Sequence, residues 1–510
     1  MILELFRTAL SALYALVTIW LTIYGLNGLV LVVLYWWHRR RSPAAPEVPW
    51  DELLPVTVQL PLYNERHVAE RLIDTVAALD YPRDRLQIQV LDDSTDDTTR
   101  LVTARAAYHR ERGVDVVVHH RTDRTGSKAG ALAAAMPEAR GELITIFDAD
   151  FRPHPDFLLR TVPHLVADPE LGMVQARWSH LNADYSPMTR VQALALDGHF
   201  VVEQTARSRA GLPMHFNGTA GVWRRSCIEA GGGWQHDTLC EDLDLSYRAQ
   251  IAGWRFRYLP GVEGPSELPP QILAFKRQQK RWAQGSVQAL RKLAGRLVRS
   301  AHLSLLEKAM GLVHLSGYLV YPLVVVLLLL TLPMLLIPGA LGGPLQLLAP
   351  VCLGPVLVYV TAQWEVYPDW KRRLLHFPLM VLVGTGIAWS NVLGVWQGLR
   401  TWGGLMARTP KFQLEGRRGE WIGSRYQLTR DRAVLGEVVL ALYALATVVA
   451  AWLTGNRGMI LFPLLHTMAF GLVAVLSLRE MRLGSGRRPT SARRSLKEWD
   501  TPEAGAVGRE

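Results

Sequence analysis

Apolar residues gather in blocks toward the two ends of the chain, with a long mixed stretch between them. Residues 8–36 carry no charge and are long enough to cross a bilayer core of about 30 Å. Apolar stretches return at about 311–337, 345–363, 376–399, 433–454 and 457–477, each set against the roughly 20 residues that a spanning helix needs. Between the first and second stretches, about 270 residues of ordinary globular composition are enough for a sizeable core. The pattern predicts a membrane protein with one large soluble domain.

Within that domain the periodicity alternates between strand and helix. Pro55–Pro61, Leu86–Leu91, Val114–His119 and Ile144–Phe147 read as short β-rich runs, and Val68, Leu72, Val76 and Leu79 fall on one helical face. Strands alternating with helices of 10–15 residues predict an α/β fold, with a mostly parallel sheet and right-handed crossovers.

The flanking charges set an expected topology. Glu4 and Arg7 make a poor basic leader, the apolar run is too long, and Trp36-Trp37-His38 offers no small-residue cleavage site, so the first stretch is expected to be a retained anchor. Arg39–Arg41 follow it directly, which places the soluble domain on the cytoplasmic side of the cell membrane. Lys371–Arg373, the Arg-rich segment 400–432 and the tail after 478 are basic as well. Two of these flank 376–399 on both sides, so that segment is expected to lie in the interface as an amphipathic helix, leaving about five spans. The expected division is a transmembrane helix over 1–37, a cytoplasmic domain over 38–300, a membrane region over 301–480 and a basic tail over 481–510.

Composition narrows the chemistry. The net charge of +11 is mostly membrane-flanking Arg, which argues for contact with anionic lipid rather than nucleic acid. Cys227, Cys240 and Cys352 have no metal or disulfide spacing.

Phe147-Asp148-Ala149-Asp150 closes a buried-strand pattern with two carboxylates one residue apart. Such acids repel and resist desolvation unless a cation or donors offset them, and a hard divalent cation completed by substrate phosphates fits that position. Asp-x-Asp also occurs in surface loops, but a second expected strand ends in Asp92-Asp93, which puts both acidic clusters on one rim of the sheet. Lys128, in Thr125-Gly126-Ser127-Lys128-Ala129-Gly130, lacks a Walker pattern; it reads as a phosphate contact or as a solvated lysine. Glu241-Asp242 opens a helix, where acids are favoured by the dipole alone. Gln278-Gln279-Lys280-Arg281-Trp282 reads as an interfacial basic helix or as a sugar and phosphate site.

Taken in order, Asp92-Asp93, Asp148-Ala149-Asp150, Cys240-Glu241-Asp242 and Gln278–Trp282 resemble the markers of the processive family-2 glycosyltransferases, the cellulose-synthase-like membrane enzymes. Phe216-Asn217-Gly218-Thr219 and Val174-Gln175-Ala176-Arg177-Trp178 look most like the mannan and glucomannan synthase branch. The resemblance covers roughly 50–300 closely. Cys240 departs from it, standing where the family has Thr or Val, and the short polar tail leads to the expectation of no cyclic-dinucleotide-binding barrel after the membrane region.

The resemblance implies a GT-A domain inserted between transmembrane helices. It implies inverting transfer of a hexosyl unit from UDP-glucose or GDP-mannose to a growing β-linked polysaccharide, coupled to export. Asp242, beside Glu241, would be the general base, and Asp150 with Asp148 would hold Mg²⁺ or Mn²⁺. Asp92, Asp93, Asp148, Lys128, Arg281, Thr409 and Lys411 would contact the nucleotide-sugar, the last two from a gating-loop segment at 408–412. Asn217, Gly218, Thr219, Gln278 and Trp282 would face the acceptor, and Trp and Tyr residues of the spans could line an exit path. A non-processive enzyme making a glycolipid, or a non-catalytic nucleotide-sugar-binding membrane protein, would share much of this pattern.

Overall fold

Val-, Ile- and Leu-rich runs favour parallel strands, and four of them form one half of the sheet, three buried on both faces and the fourth at the edge. In the computed structural model, which describes residues 2–40, 46–337, 353–404, 406 and 408–485, these are β1 (Val56–Leu62), β2 (Leu86–Asp92), β3 (Val116–His120) and β4 (Leu143–Ile146). All four pair in parallel. The other half comprises β5 (Leu171–His180), β6 (Gly221–Arg224) and β7 (Arg255–Ser266). The order is β3-β2-β1-β4-β6-β5-β7, with β6 antiparallel to both β4 and β5 and β7 parallel to β5.

The expected α/β class and mostly parallel sheet hold, and each of the four expected strands is present. The expected helical face is buried too, on and beside the helix Ala69–Ala77. The second half-sheet was not foreseen. β6 has four residues, and β7 contains Pro260, Gly261, Gly264 and Pro265, which read as turn signals. β7 keeps its pairing by shifting register opposite Ala176 and Arg177, a local irregularity that accommodates such residues. Register brings Leu62 beside Asp92 and Gln59 beside Ile146. The carboxyl ends of β1, β2 and β4 therefore share one rim, the ligand-binding edge of an open α/β sheet.

Four helices among the described residues are long and apolar enough to cross a membrane: Glu4–His38, Gly317–Leu336, Val434–Leu453 and Arg457–Leu483. The segment expected to lie as one interfacial helix over 376–399 is broken at Ile387, between Phe377–Gly386 and Ala388–Arg400, and the longer pair Trp370–Gly386 and Ala388–Arg400 is bent by 41°. Its halves pack differently. Gly386 abuts the Ala469 backbone of the last helix, whereas a Cβ on Gly398 would stand 2.6 Å from Gln284 O of the helix Ile272–Arg299. Of the expected stretch 345–363, Leu353–Val366 is helical and the remainder lies outside the described residues, as do Cys352 and most of the expected tail.

The amphipathic helix Ile272–Arg299 joins the two regions. Its first turn is capped by Glu480 of the last helix, whose carboxylate accepts the N–H groups of Ile272 (2.9 Å) and Leu273 (3.2 Å). Lys276, 1% exposed, reaches Asp431 at 2.6 Å, Glu437 at 2.5 Å and Ser477 at 3.2 Å. Two buried carboxylates offset the ammonium's desolvation.

Candidate active site

A continuous cavity of about 900 Å³ opens at the carboxyl rim of β1, β2 and β4 and extends between the helix Ile272–Arg299 and the apolar helices. Thirteen of the sequence-expected site residues converge on it: Asp93, Lys128, Asp148, Asp150, Asn217 and Gly218 from the sheet side, and Glu241, Asp242, Gln278, Arg281, Trp282, Thr409 and Lys411 opposite. Gln278, Arg281 and Trp282 are spaced three and four apart, so one helical face presents all three.

Asp148 and Asp150 are each paired to a different lysine. Lys128 Nζ donates to Asp148 Oδ1 at 2.6 Å and to the Gly218 carbonyl at 2.9 Å, with Glu241 at 3.9 Å. Lys411 Nζ donates to Asp150 Oδ2 at 2.6 Å. Burial alone would lower both lysines, but the facing carboxylates outweigh it, and both ammonium groups are held above their ordinary range.

Asp242 lies in the first turn of the helix Glu241–Ile251 and accepts the Leu243 N–H at Oδ1, 2.8 Å. Burial, and then the neighbouring Glu241 carboxylate, push its carboxyl up to about 7; Lys128 and Arg281 oppose the shift. Its Oδ2 comes so near Gly218 that a Cβ there would stand 3.0 Å away, and Gly218 has φ 82°, a left-handed backbone that glycine adopts without strain. The Asn217-Gly218 turn can therefore pass between Lys128 and Asp242.

Two expected contacts stand behind the cavity wall. Asp92 is fully buried; it accepts from Ser94 N–H at 3.0 Å and Thr99 Oγ1 at 2.6 Å, with His120 Nδ1 at 2.9 Å. Thr219, also fully buried, accepts the Asp148 N–H at Oγ1, 3.0 Å. Both hold the rim rather than face the cavity. Asp93 does face it, clamped by Arg121 through Nε at 2.8 Å and Nη2 at 2.6 Å.

Several residues were not anticipated. Arg408 pairs with Glu65 (Nε at 2.7 Å) and also donates to the Asn64 carbonyl. Burial lifts the Glu65 carboxyl to about 7 against that guanidinium. Arg124 stacks 3.4 Å over the Tyr63 ring. Asn217 Nδ2 donates to ring nitrogens of His199 (3.0 Å) and His215 (2.9 Å), and His199 continues to Glu203 at 3.0 Å. Arg408 and Glu65 are far apart in sequence, and the four-residue spacing of His199 and Glu203 is too common on helices to mark a site, so no short pattern points to them.

Among the described residues no three His, Cys, Asp or Glu side chains gather as metal ligands. Asp148 and Asp150 instead offer hard carboxylate oxygens to an open cavity. That donor set fits a hard divalent cation held by one or two carboxylates and completed by phosphate oxygens and water, and it does not fit a closed zinc site.

The mostly parallel sheet with an acidic carboxyl rim defines a GT-A-like α/β fold. Residues 55–285 match the model of glycosyltransferase like family 2, and this region is a domain of that family. The chain is 43% identical over 267 residues to glucomannan 4-beta-mannosyltransferase 1 of Oryza sativa subsp. japonica, covering 52% of this chain and 51% of that protein. It is 44% identical over 257 residues to glucomannan 4-beta-mannosyltransferase 7 of Arabidopsis thaliana, covering 50% and 46%. The chain thus spans about half the length of the curated relatives it matches. A solved structure of a mannosyltransferase from Pyrobaculum calidifontis, in complex with GDP-Man and Mn²⁺, shares the fold at a TM-score of 0.51 and 24% identity, covering 76% of this chain and 99% of that one.

Proposed function

We propose that this protein is an inverting hexosyltransferase of the cell membrane, moving a mannosyl unit from a nucleotide-sugar to a growing β-1,4-linked polysaccharide. One observation carries the reading. A carboxyl with its proton affinity near neutrality, Asp242, faces the same cavity as Asp148 and Asp150, and Lys128 lies between them. A base poised near the working pH on one side and a charged diphosphate grip on the other suit a single displacement. The choice of mannose and of the β-1,4 bond rests on the names of the relatives. Glucosyl transfer from UDP-glucose is the second reading, because the polymer in those names is mixed.

In the reaction, Asp242 Oδ2 takes the proton of the acceptor hydroxyl as its oxygen bonds to the anomeric carbon and the bond from that carbon to the diphosphate oxygen breaks. Lys128, Arg281 and Lys411 gather positive charge around the leaving diphosphate. Asp148 and Asp150 would hold Mg²⁺ or Mn²⁺, which when bound offsets the charge growing on that leaving group. Asp93, braced by Arg121, takes the nucleoside end. Trp282 offers a ring face for the acceptor sugar, and Gln278 and the Asn217-Gly218 turn border it. The cavity's continuation past Tyr318, Tyr321 and Tyr24 supports an exit route between the apolar helices, with the catalytic domain on the cytoplasmic side.

The test is a donor screen on membranes holding the full chain. Labelled GDP-mannose is expected to give long, alcohol-insoluble, β-1,4-linked product in the presence of Mn²⁺ or Mg²⁺. Label found only in an organic-extractable glycolipid would replace polymer synthesis with the glycolipid reading. No incorporation from GDP-mannose or UDP-glucose would overturn the proposal.

A further inference from the structure

Glu267 follows β7 directly, and each of its polar groups is spent on the site or on the segment that covers it. Its backbone N–H donates to Asp150 Oδ2 at 3.0 Å, and its carbonyl accepts from Lys411 Nζ at 3.1 Å. Its carboxylate, 2% exposed, accepts the Phe412 N–H on one oxygen at 2.8 Å and the Leu414 N–H on the other at 3.2 Å. Phe412 and Leu414 are buried as well, so water cannot replace those bonds.

The backbone between the two amides carries an independent mark. Gln413 has φ 61°, a left-handed conformation that a side chain disfavours. That turn aims both flanking N–H groups at one carboxylate. Two diverging donors need two acceptor oxygens, which a carboxylate has and a carboxamide lacks.

We propose that Glu267 is a positioning residue for glycosyl transfer. Its carboxylate seats the 409–414 segment over the site while its own N–H fixes the turn of Asp150, so Lys411 and Asp150 meet the diphosphate as one unit. The effect on turnover rests on the reading of Asp150 as a donor-site carboxylate; the seating does not.

Backbone hydrogen exchange on the full, detergent-solubilised chain without donor tests the seating. Glu267→Gln is expected to speed exchange at Phe412 and Leu414 at least tenfold while the helix Ile272–Arg299 is unchanged. In transfer assays it is expected to raise the donor KM at least tenfold, with kcat changed less than threefold. Glu267→Asp, which keeps both oxygens on a shorter arm, should give intermediate exchange, and it carries the same measurement if the Gln variant does not fold. Lys411→Met should leave both amides protected. Unchanged exchange in the Glu267 variants, or equal release in Lys411→Met, would overturn the proposal. Absence of transfer by the unaltered protein would instead overturn the reading of the site and leave the exchange result standing.

Discussion

Lys411 Nζ lies 2.6 Å from Asp150 Oδ2, so the carboxylate best placed for a divalent cation already holds an ammonium from a different part of the chain. Lys128 does the same for Asp148. The rim is therefore charge-balanced by its own side chains, and a cation must compete for those oxygens. Replacing Lys411 with Met should tighten Mn²⁺ binding to donor-free protein by roughly tenfold, read by electron paramagnetic resonance. Transfer should fall by about 10²-fold, because the leaving diphosphate loses one of its positive partners.

Asp242 must be ionised to accept a proton. With its carboxyl held near 7 by burial and by Glu241, the protonated, inactive form dominates at lower pH. The rate should rise about tenfold per pH unit below that value and level off above it. Asp242→Asn should remove about 10²- to 10⁴-fold of the rate while nucleotide affinity, followed by calorimetry, stays near normal. A variant that retains most of its turnover would exclude Asp242 as the base.

Arg121 clamps Asp93 with two charge-assisted bonds. Arg121→Ala leaves a nearly buried carboxylate unpaired, a change costing about 3–5 kcal/mol where pairing is complete and less at this cavity edge. Nucleoside diphosphate affinity should drop about tenfold, a factor equivalent to about 1.4 kcal/mol, with kcat on saturating donor largely kept.

Gly394 lets the helix Ala388–Arg400 touch the backbone of the helix that carries Arg281 and Trp282. A Cβ there would strike Lys280 O and stand 3.1 Å from Ala283 Cβ. Gly394→Leu should destabilise the protein by about 1–3 kcal/mol through overpacking, measured by thermal unfolding in detergent. Acceptor use should suffer more than donor binding, because the displaced helix carries the acceptor-facing side chains.

Local chemistry decided what could be read from the chain alone. The parallel strands β1, β2 and β4 show as apolar runs because both faces are buried, and the acids that follow β2 and β4 are adjacent to them in sequence. Glu65 and Arg408, or Glu267 and Leu414, meet only through the tertiary fold, so neither partner carries a sign of the other. Asp92 and Asp93 illustrate the limit within one dipeptide. Alternation along the strand end turns one carboxylate toward Thr99 and His120 and the other toward the cavity.

The Glu480 cap on Ile272 and Leu273, together with the Lys276 cluster, limits how the molecule can be divided. The donor-side sheet has its own core, but the helix bearing Gln278, Arg281 and Trp282 borrows its first-turn acceptors and its buried counter-charges from the chain's last two apolar helices and from Asp431 just before them. An excised fragment ending near residue 300 would expose two orphan N–H groups and leave Lys276 with none of those partners. The soluble-looking domain is thus not a detachable module, and half of its reaction chamber is on loan from the membrane-facing half of the chain.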